Sequence, residues 1–259
     1  MLTTEFVTGS PNWLDLGSND TQASAAFYTA VFGWSFMAGP PEAGGYGFLQ
    51  KDGKTVAGLG PVMNPEASPA WKVYFSTPDA DATAKAVEQG GGTIASQPMD
   101  VMTAGRMADL ADPQGAEFAI WQPGDIKGVD LANEPDALVW VELHVADTAA
   151  AATFYGTLFN WRTATDDMPG MPYTILSTGE GEQEASSFGG IAPFMEESET
   201  PRWLVYFGAE DVDGRVAAAT EAGGSVLVPP MDIPGVGRFA ILADPAGAQF
   251  ALLKGTPTA

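Results

Sequence analysis

Two stretches constrain this chain more than any other feature. Asp112-Pro113-Gln114-Gly115-Ala116-Glu117-Phe118-Ala119 recurs 132 positions later as Asp244-Pro245-Ala246-Gly247-Ala248-Gln249-Phe250-Ala251 (Asp112 to Asp244). Asp-Pro followed by Gly specifies a tight turn, because Pro presets one turn dihedral and Gly accepts a positive φ. Each turn launches a short apolar strand, Phe118–Trp121 and Phe250–Leu253. A chain that carries this signature twice must fold as a duplication, so its two halves are read side by side.

The duplication extends over most of the chain. Trp140-Val141-Glu142-Leu143 answers Trp13-Leu14-Asp15-Leu16 at an offset of 127 (Trp13 to Trp140). Asp147 answers Asp20, Phe154-Tyr155 answers Phe27-Tyr28, and Trp161 answers Trp34. By Trp203–Phe207, opposite Trp71–Phe75, the offset is 132 (Trp71 to Trp203), which places five extra residues between Asp166 and Gly190. Within one half the pattern reads strand, helix, three strands, written twice. Pro11–Ser18 alternates as a strand, Asp20 caps a helix to about Phe32, and strands follow near 34–38, 45–51 and 54–61 with Asp52-Gly53 as a hairpin turn. The pattern restarts at Trp71, with a helix over 79–89 and strands over 93–99, 104–110 and 116–122. A period near 130 residues is too long for a solenoid repeat, so each copy is a domain. The expected boundaries are 1–124 and 137–259, joined by a Pro/Gly/Asp/Asn-rich linker over 125–136.

Composition limits the partners. Acidic residues number 33 against 11 Lys and Arg, giving a net charge of −22. Such a field repels nucleic acid and anionic membranes, and neither is expected as a partner. With no Cys there is no disulfide, thiol nucleophile or thiolate zinc site. No charged and apolar leader and no apolar run of about 18 residues is present, so the expectation is a soluble, cytoplasmic protein.

The strand, the Asp-capped helix with Phe-Tyr, the three strands and the closing Asp-Pro-x-Gly strand together resemble the vicinal oxygen chelate superfamily, the glyoxalase / bleomycin-resistance / extradiol dioxygenase group. Paired Trp-x-Asp/Glu-Leu and Gly-Arg…Asp-Pro motifs further resemble a two-domain actinobacterial subgroup labelled glyoxalase-like antigen or hydroxylase. The resemblance implies an α+β fold in two tandem domains, each of two βαβββ units curled into a half-open barrel. It implies packing of the domains through their first strands as an internal pseudo-dimer, in a monomer or a homodimer. Enzymes of the superfamily hold a divalent metal in the cup, with ligands from three strand positions per domain. Those positions fall on Trp13, Lys72 and Ala119, and on Trp140, Leu204 and Ala251. Trp, Leu and Ala offer no side-chain lone pair and a protonated Lys is a cation. The expectation is no metal and no other cofactor.

Residues two apart on a strand share a face. The first cup is therefore expected to present Trp13, Asp15, Lys72, Tyr74, Glu117 and Trp121. The second is expected to present Trp140, Glu142, His144, Leu204, Tyr206, Gln249 and Leu253. Mixed aromatic and polar walls suit a small organic ligand, aromatic or carbonyl-containing. Glu142, His144 and Asp15 are the candidate acid–base groups. His144 reads equally as a rim histidine, and Asp15 and Glu142 as acceptors of backbone N–H groups. Lys72 is expected to pair with Asp15 or Glu117. Arg106 and Arg238 read either as clamps on an anionic ligand or as partners of Asp100 and Asp232. Met168–Pro172 reads as a hairpin connection or a lid. Three functions follow: a metal-independent small-molecule binder, a metal-free acid–base enzyme of glyoxalase or lyase/isomerase type, or a hydroxylase of a polyketide-like aromatic.

Overall fold

A computed structural model describes residues 2–62, 64, 67–168, 171–194 and 199–256. Four βαβββ units follow one another. The first is β1 (Pro11–Ser18), α1 (Thr21–Phe32), β2 (Ser35–Ala38), β3 (Gly47–Lys51) and β4 (Lys54–Pro61). The second is β5 (Ala70–Ser76), α2 (Ala80–Gln89), β6 (Thr93–Val101), β7 (Gly105–Ala111) and β8 (Glu117–Pro123). The second half-chain repeats this as β9 (Leu138–Val145), α3 (Thr148–Phe159), β10 (Arg162–Met168), β11 (Met171–Ser177) and β12 (Ser187–Pro193). It ends with β13 (Arg202–Gly208), α4 (Val212–Glu221), β14 (Ser225–Ile233), β15 (Gly237–Ala243) and β16 (Gln249–Gly255). Strand order is β2-β3-β4-β1-β5-β8-β7-β6 in one sheet and β10-β11-β12-β9-β13-β16-β15-β14 in the other, each open at both edges. This is the α+β arrangement expected from the sequence. Among the described residues no helix is long and apolar enough to cross a membrane.

Local chemistry sets the element ends. Asp20, Asp79, Asp147 and Asp211 each accept backbone N–H groups at a helix start. Asp52 and Gly53 both have positive φ, 51° and 77°, as a two-residue hairpin turn of this hand requires. The five extra residues lie in the β11–β12 connection. Gln50 pairs with Thr55 in the first half, leaving residues 51–54 between them, while Ser177 pairs with Ser187, leaving residues 178–186. Arg162 organises the longer loop by donating to the carbonyls of Thr178 at 3.1 Å and Gly181 at 2.8 Å. Pro169 and Gly170, at the tip of the expected lid or hairpin, lie outside the described residues; β10 and β11 pair up to Met168 and Met171.

The chain divides into two compact units, each combining parts of both half-chains. One comprises Met1–Trp13, Lys72–Gly128 and Trp140–Leu204; the other comprises Leu14–Trp71, Val129–Val139 and Val205–Ala259. In the first unit Phe75 and Phe118 pack against Tyr155, Phe159 and Trp161. In the second, Phe27, Tyr28, Phe32 and Trp34 pack on Phe207 and Phe250. These rings are almost fully buried, and burial of each contributes on the order of 2–3 kcal/mol. The aromatic contacts between half-chains thus run through the helix faces of α1 and α3. β1 and β9 are interior strands, paired in parallel with β4 and β12.

The repeated turn serves this interlock. The Asp112 carboxylate accepts the N–H groups of Gln114 at 2.8 Å and Ala116 at 3.0 Å, closing its own turn. Its second oxygen accepts the Tyr155 hydroxyl of the other half-chain at 3.2 Å, and Trp203 Nε1 donates to that hydroxyl at 3.1 Å. In the second unit Tyr28 donates to Asp244 at 3.3 Å and receives Trp71 Nε1 at 2.9 Å. Burial pushes Tyr28 and Tyr155 well above the ordinary phenol range, and burial also raises Asp112 and Asp244, against the hydrogen bonds that favour their ionised forms.

Candidate functional site

Both first strands carry a carboxylate held by a tyrosine. On β1, Asp15 accepts the Tyr46 hydroxyl at 2.6 Å. On β9, Glu142 accepts the Tyr173 hydroxyl at 2.7 Å. The strand facing each carboxylate supplies a glycine: Gly58 is the register partner of Asp15, and Gly190 of Glu142. A Cβ at Gly58 would overlap the Tyr46 hydroxyl and Asp15, and one at Gly190 would overlap the Tyr173 hydroxyl. The glycines therefore make the niche in which the phenol meets the carboxylate. Tyr46 and Tyr173 are 127 positions apart, the offset of the first strands, and this coincidence is the signal by which sequence reasoning could have found them.

The second-half site is the more elaborate. Trp140 Nε1 donates to the Tyr173 oxygen at 2.9 Å, and Tyr173 donates onward to Glu142 Oε2. Glu142 Oε1 lies 2.8 Å from His144 Nε2, and Glu199 Oε2 lies 3.6 Å from His144 Nδ1. Arg202 reaches the same Glu199 oxygen at 3.0 Å. The side chains of His144, Glu142 and Glu199 are 8%, 13% and 17% exposed, so the imidazole is buried while the carboxylates reach solvent at their edges. Both carboxylates approach the ring off the N–H axes, and neither buried nitrogen has an aligned hydrogen-bond partner. The arrangement can hold or move a proton between an imidazole and a carboxylate, and can offer a ligand both donors and acceptors. Glu199 and Arg202 were not singled out in the sequence, because nothing in their spacing marks them.

The other expected residues divide between paired and packed roles. Lys72 binds Asp109 at 2.6 Å, and Ser96 also donates to Asp109 at 2.8 Å. This corrects the expected pairing of Lys72 with Asp15 or Glu117; Asp109, one strand further on β7, reaches it first. Glu117 and Gln249 sit exposed at the starts of β8 and β16. Tyr74, Tyr206 and Trp13 are buried on their strands. Trp121 is buried and donates its indole N–H to the Ile126 carbonyl at 2.9 Å. Arg106 is bridged by Asp81 at 2.8 Å and Asp100 at 3.0 Å, and Arg238 by Asp213 at 2.6 Å and Asp232 at 3.1 Å. Asp100 and Asp232 were the expected structural partners; Asp81 and Asp213 are additional. Asp15 and Glu142 bond tyrosine hydroxyls where backbone N–H groups were an alternative. Among the described residues no group of three or more His, Cys, Asp or Glu side chains converges as a cation site.

The glyoxalase/bleomycin resistance protein/dioxygenase superfamily model matches residues 10–120, and a glyoxalase-like domain model matches residues 140–253. The anthracycline biosynthesis protein DnrV of Streptomyces peucetius is 39% identical over 270 aligned positions, which cover 97% of this chain and 95% of that protein. Among solved structures, 2,2',3-trihydroxybiphenyl 1,2-dioxygenase from Sphingomonas wittichii superposes with a TM-score of 0.66 at 16% identity, over 96% of this chain and 92% of that one. The Mn(II)-bound glyoxalase from Novosphingobium aromaticivorans gives 0.63 at 17% identity, over 96% and 84%. The last two likenesses are of fold; the sequence relative and the two matched half-chains place this chain in the glyoxalase/bleomycin resistance protein/dioxygenase superfamily.

Proposed function

We propose that this chain is a metal-independent binding protein for a small organic molecule, with the Glu142–His144 site of the second half-chain as its recognising centre. One observation carries the reading. Trp140, at the position where the resemblance sets the first-strand ligand, donates its indole N–H into a Trp140–Tyr173–Glu142–His144 chain. The remaining positions fit a cation no better. Lys72 is consumed by Asp109, and Ala119, Leu204 and Ala251 are buried apolar groups with no donor atoms. A divalent metal needs several oxygen, nitrogen or sulfur donors converging on one point, and these six residues do not supply them.

The ligand class follows from the walls and from the relatives. Aromatic side chains with few polar anchors favour a flat molecule bearing hydroxyl or carbonyl groups. Relatives named for anthracycline biosynthesis support a polyketide-like aromatic. A second reading, metal-free acid–base catalysis, is favoured by the 2.8 Å contact between Glu142 and His144. Titration of chelator-treated protein with a panel of hydroxyanthraquinones, followed by tryptophan fluorescence, tests the binder. Saturable quenching without product supports it; turnover abolished in Glu142→Gln moves the assignment to the enzyme; no binding across the panel defeats both.

A further inference from the structure

His144 poses a problem that its neighbours do not solve. Its ring is buried, with both nitrogens lacking an aligned hydrogen bond and each facing a carboxylate oxygen, Glu142 Oε1 at 2.8 Å and Glu199 Oε2 at 3.6 Å. A neutral imidazole has one N–H and one lone pair. In that form one nitrogen must turn its lone pair toward an ionised oxygen, which repels it. The conflict is removed by a proton on the ring or on the facing carboxyl, or by a ligand whose donors reach both the lone pair and the carboxylate. A leftover buried polar group of this kind calls for such an explanation.

We infer that the Glu142–His144–Glu199 site binds a protonated organic amine, whose N–H groups meet the unaligned imidazole and the carboxylates beside it. The inference rests on the small-molecule reading above. An ammonium group carries donors only, so one N–H can meet the imidazole lone pair while another meets Glu142 or Glu199. Its charge is matched by carboxylates whose partial burial limits screening by water. Trp140 and Tyr173 stand in the same cluster and supply aromatic surface to the amine's organic part. Among the described residues the charged groups beside His144 are Glu142 from β9 and Glu199 from the β12–β13 connection, with Tyr173 from β11 acting through Glu142 and Arg202 from β13 through Glu199. An alcohol of the same shape can donate one hydrogen bond but brings no charge.

Calorimetric titration with benzylammonium and with benzyl alcohol at one pH reads the affinity of each. The expected result is an amine preference of about tenfold or more, as for one charge-assisted hydrogen bond. Glu142→Gln removes the amine preference, and His144→Ala weakens the amine more than the alcohol. Equal affinity for the two probes, or an amine preference that survives Glu142→Gln, overturns the inference. If hydroxyanthraquinones bind and benzylammonium does not, this proposal falls and the small-molecule reading stands; if neither class binds, both fall.

Discussion

Replacing Gly190 by Ala tests the architecture of the site at a single methyl group. Gly190 sits on β12 opposite Glu142, and a Cβ there would overlap the hydroxyl and ring of Tyr173. The backbone is a paired strand and cannot yield far, so Tyr173 must leave its niche. Two hydrogen bonds go with it, from Trp140 at 2.9 Å and to Glu142 at 2.7 Å. Each is worth about 1 kcal/mol net, and the one to an ionised carboxylate about 2. Displacing a ring that is only 4% exposed adds part of its burial energy. The total expected loss is about 3–4 kcal/mol in urea unfolding. The cause is isolated by a double-mutant cycle. In a Tyr173→Ala background the space is already empty, so Gly190→Ala should cost less than about 1 kcal/mol, giving a coupling of 2 kcal/mol or more. Additive losses would refute the claim that this glycine exists to seat the tyrosine. The matching cycle at Gly58 and Tyr46 should behave the same way.

Further outcomes follow from the interlock and its titrating groups. Tyr28→Phe and Tyr155→Phe each remove a buried hydroxyl that links an indole to an aspartate, and each should lower stability by about 1–2 kcal/mol in urea titration. Asp112 and Asp244 are raised by burial, so the folded state holds their protons more tightly than the unfolded chain does. Their contribution is present at low pH and is lost as pH rises through the folded values, from about pH 4 upward. Asp112→Asn with Asp244→Asn should therefore flatten the fall in stability over that range. Asp81 and Asp213 are lowered by hydrogen bonds from Arg106 and Arg238 and run the other way, their contribution being lost as pH falls. These four pairings are exposed, so Arg106→Ala should change stability little, and less still in high salt.

Much of this architecture could be read from residues alone, because its determinants are local and repeated. Asp20 and Asp147 cap helices wherever the fold places them, and Asp-Pro-x-Gly turns close on their own backbone. The offset from 127 to 132 located the inserted residues to Asp166–Gly190, a stretch that holds two strand connections. What escaped were partners chosen by register between distant strands. Lys72 finds Asp109 because β7 lies beside β8, a fact no spacing along β5 reveals. Glu199 reaches His144 from a connection without periodicity, and Arg202, at the start of β13, reaches Glu199. The helix-face interlock was missed for the same reason: amphipathic patterning says that α1 has a buried face, not which half-chain covers it. Gly9 and Asp136 show how different residues meet one demand. Both hold positive φ and accept an indole N–H, from Trp161 and Trp34, but only Asp136 adds an ion pair, to Arg215 at 2.7 Å.

The measurement that bears most directly on the account is equilibrium binding of a hydroxyanthraquinone to protein stripped with a strong chelator, compared with the same protein supplied with Mn(II) or Zn(II). Metal-free binding centred on Glu142 and His144 predicts saturable binding in the stripped protein, unchanged by either cation, and weakened about 10- to 100-fold by Glu142→Gln, as for the loss of one charge-assisted contact. Binding that appears only when a divalent cation is restored, with Glu142→Gln without effect, would contradict it.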